Sequence, residues 1–356
     1  MNPIMRMLVA LGGIAGCSAP PPIEQSPAAA PPALVWPLDD PAAQNAACEA
    51  CHPAEAAQWR ASLHRDSFTN EAFQRSFARE PSPFCQACHA PHADPELPPP
   101  AWAAVNGISC VSCHLVAGAV RAVPTPRSSS PSPHPLARSA EFAGPQACAG
   151  CHEFDFPRSR RFPPGRKMQA TLAEHAGSEH TQSSCADCHM SALGAGAGRD
   201  HRFDVSRNVA LLRAALTASA RRLGPDRVAL ELAPVAVGHA LPTGDLFRRI
   251  ELRIDARGPD GERRAGTTRY LARHFSPPSP RRPDPLAPDD RLTGPASFEM
   301  FAQGARAEHT ISWQVIYQRV DHRDAKAPEL SSLAGEVVLA SGELPALESS
   351  PPAATR

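Results

Sequence analysis

The chain has 356 residues, and its 36 Lys and Arg residues balance 36 Asp and Glu residues, which gives a formal net charge of zero. This balance excludes binding to nucleic acid through bulk positive charge. Proline is abundant, at 41 residues, and aromatic residues make up only 5% of the chain. Large rings dominate the energetics of most protein cores, so another apolar group is expected to fill part of this one.

The first residues have the pattern of an export signal. Arg6 precedes a short apolar run, and Ile14-Ala15-Gly16 leads into Cys17. The run is about half of the ~20 residues that a spanning helix needs. We therefore predict a lipoprotein signal peptide over 1–16 and an exported chain that is lipid-anchored at Cys17; the alternative is an ordinary signal peptide, with Cys17 a spare thiol. Ser18 favours the outer membrane, and the Pro- and Ala-rich residues 17–45 predict a tether.

Five copies of the pattern Cys-x-x-Cys-His follow, and they define a predicted domain over 46–207. Two thiols three positions apart bond the vinyl groups of a porphyrin, and the adjacent His binds the iron. Neither a zinc site nor a redox dithiol requires a His after every pair. The sequence thus predicts five covalently bound heme c groups, held by Cys48, Cys51 and His52; Cys85, Cys88 and His89; Cys110, Cys113 and His114; Cys148, Cys151 and His152; and Cys185, Cys188 and His189.

Regular structure within this predicted domain is expected to be sparse. Short helices are predicted over 54–63 and 168–174, and proline-rich stretches between the motifs predict loops. We therefore expect a helix-poor, loop-rich domain whose core consists of the cofactors.

The pattern changes at about residue 208. A helical rhythm over 209–222 precedes runs in which apolar and polar residues alternate, as in Val228–Leu232 and Ile250–Ile254. Residues 309–317 alternate in the same way, with His309 expected in the core, and 337–339 predicts a last strand. The fold class predicted is α+β and multidomain, with a helix and an antiparallel β-sandwich over 208–345 and a disordered tail over 346–356.

Several segments resemble the multiheme c-type cytochromes related to the tetraheme acceptor of hydroxylamine oxidation. They are Gly107-Ile108-Ser109 before the third motif, Trp59–His64 after the first, and Met190 and His201-Arg202-Phe203 after the fifth. The loop Gly238-His239-Ala-Leu-Pro242-Thr243-Gly244 is similar to one that opens a β-domain appended to many of these proteins. The chain departs from the tetraheme pattern in having five motifs, so the resemblance does not assign ligands heme by heme.

The sixth ligand of each iron decides what a heme can do. An iron closed by a second His carries electrons, whereas an open iron can bind a substrate. The resemblance implies distal roles for His64 and His201, and a loop held by Gly and Pro makes His239 a candidate against a plain turn residue. His92 and His134 are further candidates against solvent-facing loop residues. With at least five plausible ligands for five irons, we expect every heme to be closed.

Two functions stay open at this point. The favoured one is a periplasmic or outer-membrane cytochrome that carries electrons between redox partner proteins, either other cytochromes or quinol-linked donors. The other is a multiheme oxidoreductase that acts on a small nitrogen or sulfur compound at one open heme. An enzyme needs groups that move protons near that iron, and both tyrosines, Tyr270 and Tyr317, lie in the predicted β-domain. We therefore expect an electron carrier with no catalytic residues rather than an enzyme.

Overall fold

The computed structural model describes residues 40–124, 132–157, 166–194, 198–203, 205, 207–275, 286–322 and 327–347. The predicted signal peptide, Cys17, most of the predicted tether and most of the predicted tail lie outside these residues. None of the described helices is both long and apolar enough to cross a membrane. A helix begins at Pro41, inside the segment predicted as a tether.

The heme-motif section, residues 40–203, consists of short helices and very short strands. Its helices are α1 (Pro41–Cys51), α2 (Pro53–Arg60), α3 (Glu71–Arg79), α4 (Pro83–His89), α5 (Ala101–Asn106), α6 (Cys110–His114), α7 (Ala140–Ala143), α8 (Gln146–His152), α9 (Thr171–Ala176) and α10 (Cys185–His189). Its strands are β1 (Leu115–Val116), β2 (Ala119–Ala122), β3 (Ala137–Arg138), β4 (Glu153–Asp155) and β5 (Lys167–Ala170).

Local signals explain where these helices begin. Asp40 caps α1 by accepting a hydrogen bond from the Ala42 N–H at 2.9 Å, and a proline occupies the first turn. Asn70 caps α3 in the same way through the Phe73 N–H. The helix predicted over 168–174 is only partly present, because Lys167–Ala170 pairs with β4 as a strand before α9 starts.

The sheet section, residues 208–347, begins with α11 (Val209–Ala214), which Asn208 caps. Its strands are β6 (Leu216–Arg222), β7 (Arg227–Pro234), β8 (Arg248–Arg257), β9 (Arg263–Leu271), β10 (Arg273–Phe275), β11 (Leu286–Asp289), β12 (Ala296–Phe301), β13 (Thr310–His322) and β14 (Ser332–Leu344), with a short 3-10 helix at Pro328–Leu330. These strands form two larger antiparallel sheets, in the orders β12-β7-β6 and β14-β13-β8-β9, and β10 pairs with β11 in a two-stranded one. The helix predicted over 209–222 thus ends early, because its second half is strand β6.

The two sheets share one hydrophobic core. Alternate residues of β7, β8 and β13 are buried in a single cluster, whose fully buried members include Leu230, Ile250, Leu252, Ile254, Ile311 and Val315. Strands with this alternation bury one face and leave the other free for polar contacts. The mixed α+β class predicted from the sequence is therefore present.

The heme-motif section has few large apolar residues in its interior. Among its described residues, the buried hydrophobic ones are four alanines together with Trp59, Phe73 and Val111. A section of this size with so little buried apolar surface is not stabilised by its own side chains. This deficit fits a section that packs around large apolar cofactors.

Candidate heme ligands and an unpaired proximal histidine

The five motifs have a common local geometry. Helices α4, α6, α8 and α10 each end on the motif His, and α1 ends on Cys51 with His52 as its C-cap. Residues three and four apart lie on one face of a helix. Both thiols and the imidazole of a motif therefore point to the same side, as attachment to one porphyrin requires.

Capping fixes two of these helices. Ser109 and Ser112 form a capping box at the start of α6, and Ser184 and Asp187 form one at the start of α10. In each box, the side chain of the third helical residue accepts a hydrogen bond from the cap N–H. The residues between the two cysteines thus help to hold the motif in its helical form.

Four of the motif histidines lie opposite a second histidine. The ring centroids are 6.5 Å apart for His52 and His134, 6.3 Å for His152 and His64, 6.3 Å for His114 and His201, and 6.1 Å for His189 and His239. An iron bound by both Nε2 atoms requires centroids about 6 Å apart, because each metal–nitrogen bond is about 2 Å long and each nitrogen lies roughly 1 Å from its ring centre. The four separations fit this requirement.

The other ring nitrogen of several of these histidines is held by a backbone carbonyl. The Nδ1 atoms of His114, His201 and His239 lie 3.1, 2.8 and 3.0 Å from the carbonyl oxygens of Arg121, Arg199 and Ala240. An N–H at Nδ1 that donates to a carbonyl leaves Nε2 with the lone pair that a metal accepts. The hydrogen bonds thus favour the tautomer that binds iron.

Burial keeps these rings in the form that binds metal. It lowers the pKa of His64 to about 4, and the neighbouring His152 acts in the same direction. Burial also lowers the pKa of His189 to about 4, with His239 and His152 adding to the effect. A neutral imidazole is the ligand form, and the ten motif cysteines are free thiols. The residues present therefore fit covalently attached heme.

His64 is positioned by the segment before the third motif. Its backbone carbonyl accepts a hydrogen bond from the Ile108 N–H at 2.9 Å, and the Trp59 indole N–H donates to the Ile108 carbonyl at 2.8 Å. Gly107, at φ 51°, lies so close that an added Cβ would be 2.7 Å from the His64 carbonyl oxygen. The residues that carry the resemblance thus hold His64, a candidate distal ligand, in place.

His239 is held by contacts between its loop and α9. Glu174 accepts hydrogen bonds from the Thr243 hydroxyl at 2.6 Å and from the Ala240 N–H at 3.3 Å. Its second oxygen lies 2.7 Å from Arg291 in an ion pair whose side chains are only 13% and 7% exposed. Sequence reasoning did not identify Glu174 or Arg291, because neither belongs to a motif.

His89, the histidine of the second motif, differs from the other four. All fifteen histidines of the chain lie among the described residues, and none of the other rings is placed opposite His89. Its ring stacks on Phe73 at 3.8 Å, and its Nδ1 lies 2.6 Å from the Ser67 carbonyl oxygen. The Nδ1 contact matches that of His114, His201 and His239, but among the described residues no second imidazole lies opposite His89.

His92 is a candidate for a distal role from the sequence, but the structure places it elsewhere. Its Nε2 lies 2.8 Å from the Ser112 hydroxyl, and its ring lies beside Trp102. His309, expected in the core, is buried and accepts a hydrogen bond from the Arg306 N–H through Nδ1. The distal candidates that do lie opposite a motif histidine are His64, His134, His201 and His239.

Contacts between cysteines show which motifs are neighbours. The thiols of Cys88 in the second motif and Cys185 in the fifth lie close enough to Cys151 and Cys148 of the fourth motif to shift the pKa of those thiols. Cys113 of the third motif lies within electrostatic range of Cys151. Cys110 lies within the same range of Cys48 in the first motif. The motifs are therefore neighbours in the order first, third, fourth and fifth. The second motif lies beside the fourth.

Among the described residues, no group of three or more His, Cys, Asp or Glu side chains is arranged to hold a metal ion by itself. Heme iron needs only two axial protein ligands, since the porphyrin supplies the other four. A pair of facing histidines is therefore the arrangement expected at a heme iron, and a cluster of three or more protein ligands is not needed.

Comparison with known proteins supports this interpretation. The family model for cytochrome c554 and c-prime matches residues 47–115. A solved structure of a penta-heme cytochrome c552 from Thermochromatium tepidum has a similar fold, with a TM-score of 0.61 and 19% identity, over 84% of this chain and 97% of that one. No curated protein matches the chain. The family match and the shared fold together support a multiheme c-type cytochrome.

Proposed function

We propose that this multiheme c-type cytochrome binds five heme c groups and transfers electrons through them, and that four of the hemes are closed by two histidines while the second is open. The observation that carries the proposal is the set of four histidine pairs, with centroids 6.1–6.5 Å apart. The axial pairs are His52 and His134, His114 and His201, His152 and His64, and His189 and His239. Bis-histidine ligation gives low-potential irons suited to electron transfer.

The contacts between motifs support a continuous path for electrons. Each thiol would be bonded to its own heme, so the contacts Cys88–Cys151 and Cys148–Cys185 bring the attachment points of neighbouring hemes together. Electrons would pass between the hemes of the first, third, fourth and fifth motifs, in that order or its reverse. The second heme would be a branch from the fourth.

A second function is favoured by His89. A heme with an open sixth position at the end of a branch can exchange electrons with the chain and bind a small nitrogen or sulfur compound. The proposed alternative is accordingly a multiheme oxidoreductase that uses the second heme as its reaction site. The heme would supply the redox chemistry there, and a redox partner protein would supply the electrons, which would arrive through the heme of the fourth motif.

The setting of the protein is also proposed. Export is supported by the resemblance to cytochromes that work outside the cytoplasm, and by the pattern that ends at Cys17, which lies outside the described residues. We propose a lipid anchor at Cys17 in the periplasm, at the outer membrane, with redox proteins as partners and no nucleic acid. The two sheets with a common core support a β-sandwich after the heme domain.

Two measurements test the proposal, a count of hemes per chain and a titration with carbon monoxide. A pyridine hemochrome assay on the full-length protein of known concentration should give five hemes per chain. Carbon monoxide added to the reduced protein should bind one heme in five, because it needs an open iron. Binding of carbon monoxide to none of the hemes would contradict an open second heme, and a heme ratio of four would contradict attachment at all five motifs.

A further inference from the structure

One short stretch of the heme-motif section contacts candidate ligands of two different hemes. His64 lies opposite His152 of the fourth motif. A little further along the chain, the Ser67 carbonyl oxygen lies 2.6 Å from Nδ1 of His89, in the second motif. Phe73 stacks on the same His89 ring at a centroid distance of 3.8 Å. One stretch of chain therefore supports a ligand of the second iron and supplies a ligand of the fourth.

Every hydrogen-bonding group of Ser67 has a partner at or beside a candidate ligand. Its hydroxyl donates to the backbone carbonyl of His89 at 2.8 Å, so Ser67 contacts both the ring and the backbone of that residue. The Ser67 N–H donates to the His64 carbonyl at 3.2 Å. The Ile108 N–H donates to the same carbonyl at 2.9 Å and to the Ser67 hydroxyl oxygen at 3.1 Å. Because Ser67 is only 7% exposed, losing one of these bonds leaves a buried polar group unsatisfied.

The space around the Ser67 hydroxyl is filled by the segment before the third motif. A Cβ added at Gly107 would lie 2.4 Å from the hydroxyl oxygen, which is closer than two non-bonded atoms approach. Gly107 also has a φ of 51°, a conformation that favours glycine. The absence of a side chain at Gly107 thus allows this segment to close over Ser67 and hold it in place.

The hydrogen bond from His89 to Ser67 affects how the imidazole binds iron. An N–H at Nδ1 that donates to an acceptor raises the basicity of the nitrogen that binds the metal. The separation of 2.6 Å at His89 is shorter than the 3.1, 2.8 and 3.0 Å of the corresponding contacts at His114, His201 and His239. The Ser67 carbonyl is therefore placed to act strongly on the iron ligand, and the Ser67 hydroxyl fixes that placement.

We propose that Ser67 is a positioning residue shared by two hemes. Its carbonyl orients His89 toward the iron of the second heme, and its N–H and hydroxyl tie that contact to the backbone of His64. This inference rests on the proposed heme ligation, in which the second iron is open. Removing the Ser67 hydroxyl is accordingly expected to change the bonding of His89 to its iron and the orientation of His64 together.

Two spectroscopic signals report on the two hemes separately. The iron–histidine stretching band in resonance Raman spectra comes from a five-coordinate ferrous heme, so the second heme alone would give it. Its frequency rises as the Nδ1–H of the histidine donates more strongly to its acceptor. The fourth heme is followed by electron paramagnetic resonance of the oxidised protein, as the low-spin signal that His64→Ala removes.

The test compares Ser67→Ala with a matched control in the full-length holoprotein. The control is Ser312→Ala, since the Ser312 hydroxyl also donates to a backbone carbonyl, that of Asp255 at 3.3 Å, but lies in the sheet section. Hemes per chain are counted for each variant. Ser67→Ala should lower the iron–histidine frequency and shift the low-spin signal of the fourth heme, and Ser312→Ala should match the wild type in both.

Gly107→Ala tests the same contact without changing Ser67. The added Cβ displaces the Ser67 hydroxyl, so the iron–histidine frequency should again fall. Gly118→Ala is its control, because Gly118 has a φ of 74° and no atom within 4 Å of the added Cβ, and it should leave the band unchanged. If Ser67→Ala does not attach five hemes, the result for Gly107→Ala decides.

An unchanged iron–histidine frequency in Ser67→Ala would overturn the proposal, and so would an unchanged low-spin signal of the fourth heme. Equal shifts in Ser312→Ala would also overturn it, because the effect would then not depend on contact with a ligand. A wild type without an iron–histidine band would instead refute the open second iron. The second heme would then give a low-spin signal of its own, and only if that signal also stayed unchanged in Ser67→Ala would the role of Ser67 at His89 be refuted as well.

Discussion

The loop that carries His239 depends on one buried carboxylate, and removing that carboxylate gives a specific prediction. Glu174 joins Thr243, the Ala240 N–H and Arg291 through its two oxygens. Glu174→Ala removes all three contacts from a site in which Arg291 is 7% exposed. We expect His239 to leave the iron of the fifth heme in a measurable fraction of the molecules.

The magnitude follows from the burial of this pair. Removing one partner of a buried ion pair costs roughly 3–5 kcal/mol. Arg291 keeps its hydrogen bonds to Asp289, both at 2.8 Å, so the lower end of that range applies. About 3 kcal/mol changes the ratio of bound to released loop by more than about a hundredfold.

The assay is the high-spin signal of the ferric protein at low temperature. Glu174→Ala should show a second high-spin heme besides the one at His89, and added imidazole should return that second heme to low spin. Glu179→Ala is a matched control, because Glu179 is 90% exposed and lies five residues along the chain. A fifth heme that stays fully low-spin in Glu174→Ala would refute the role of this contact.

Three further predictions test other parts of the account. His64→Ala should convert the heme of the fourth motif to high spin, because His64 lies opposite His152; an unchanged spectrum would remove His64 as its ligand. Gly107→Ala should lower the melting temperature more than Gly118→Ala does, since both have positive φ but only Gly107 is crowded, by the Ser67 hydroxyl and the carbonyls of His64 and Arg65; equal shifts would show that crowding is unimportant. Cys17→Ala should move the protein from the membrane to the soluble fraction, and retention in the membrane would count against a lipid anchor.

Local patterns predicted a large part of the fold. The alternation of Val228, Leu230 and Leu232 and that of Ile250, Leu252 and Ile254 both correspond to strands, because strand residues of period two bury one face. The predicted helix over 209–222 is wrong after Ala214. Leu216–Arg222 pairs with β7 along its whole length, and that pairing overrides a helical rhythm that fits both structures.

The candidate distal ligands of the irons were harder to predict from the sequence than the strands. The motif spacing identifies the cysteines and proximal histidines because their chemistry is local, within five residues. A second histidine instead comes from a distant segment, as His239 does where it lies opposite His189, so a count of candidates does not show where each ring lies. The number of histidines is sufficient for five closed irons, yet His92 contacts Ser112 and His89 has no histidine opposite it.

The packing of the sheet section on the heme-motif section had no signal in the sequence. Helix α3 contacts β13 through Arg75, Ser76 and Asp321. That contact joins residues about 245 positions apart, which no local pattern reveals.

The most direct test of the central claim is quantitative electron paramagnetic resonance of the fully oxidised, full-length protein. Integration of the spectrum should give four low-spin ferric hemes and one high-spin heme per chain, since four motif histidines have a second histidine opposite them and His89 has none. Five low-spin hemes would contradict an open iron at the second motif. Two or more high-spin hemes would contradict the assignment of the four histidine pairs.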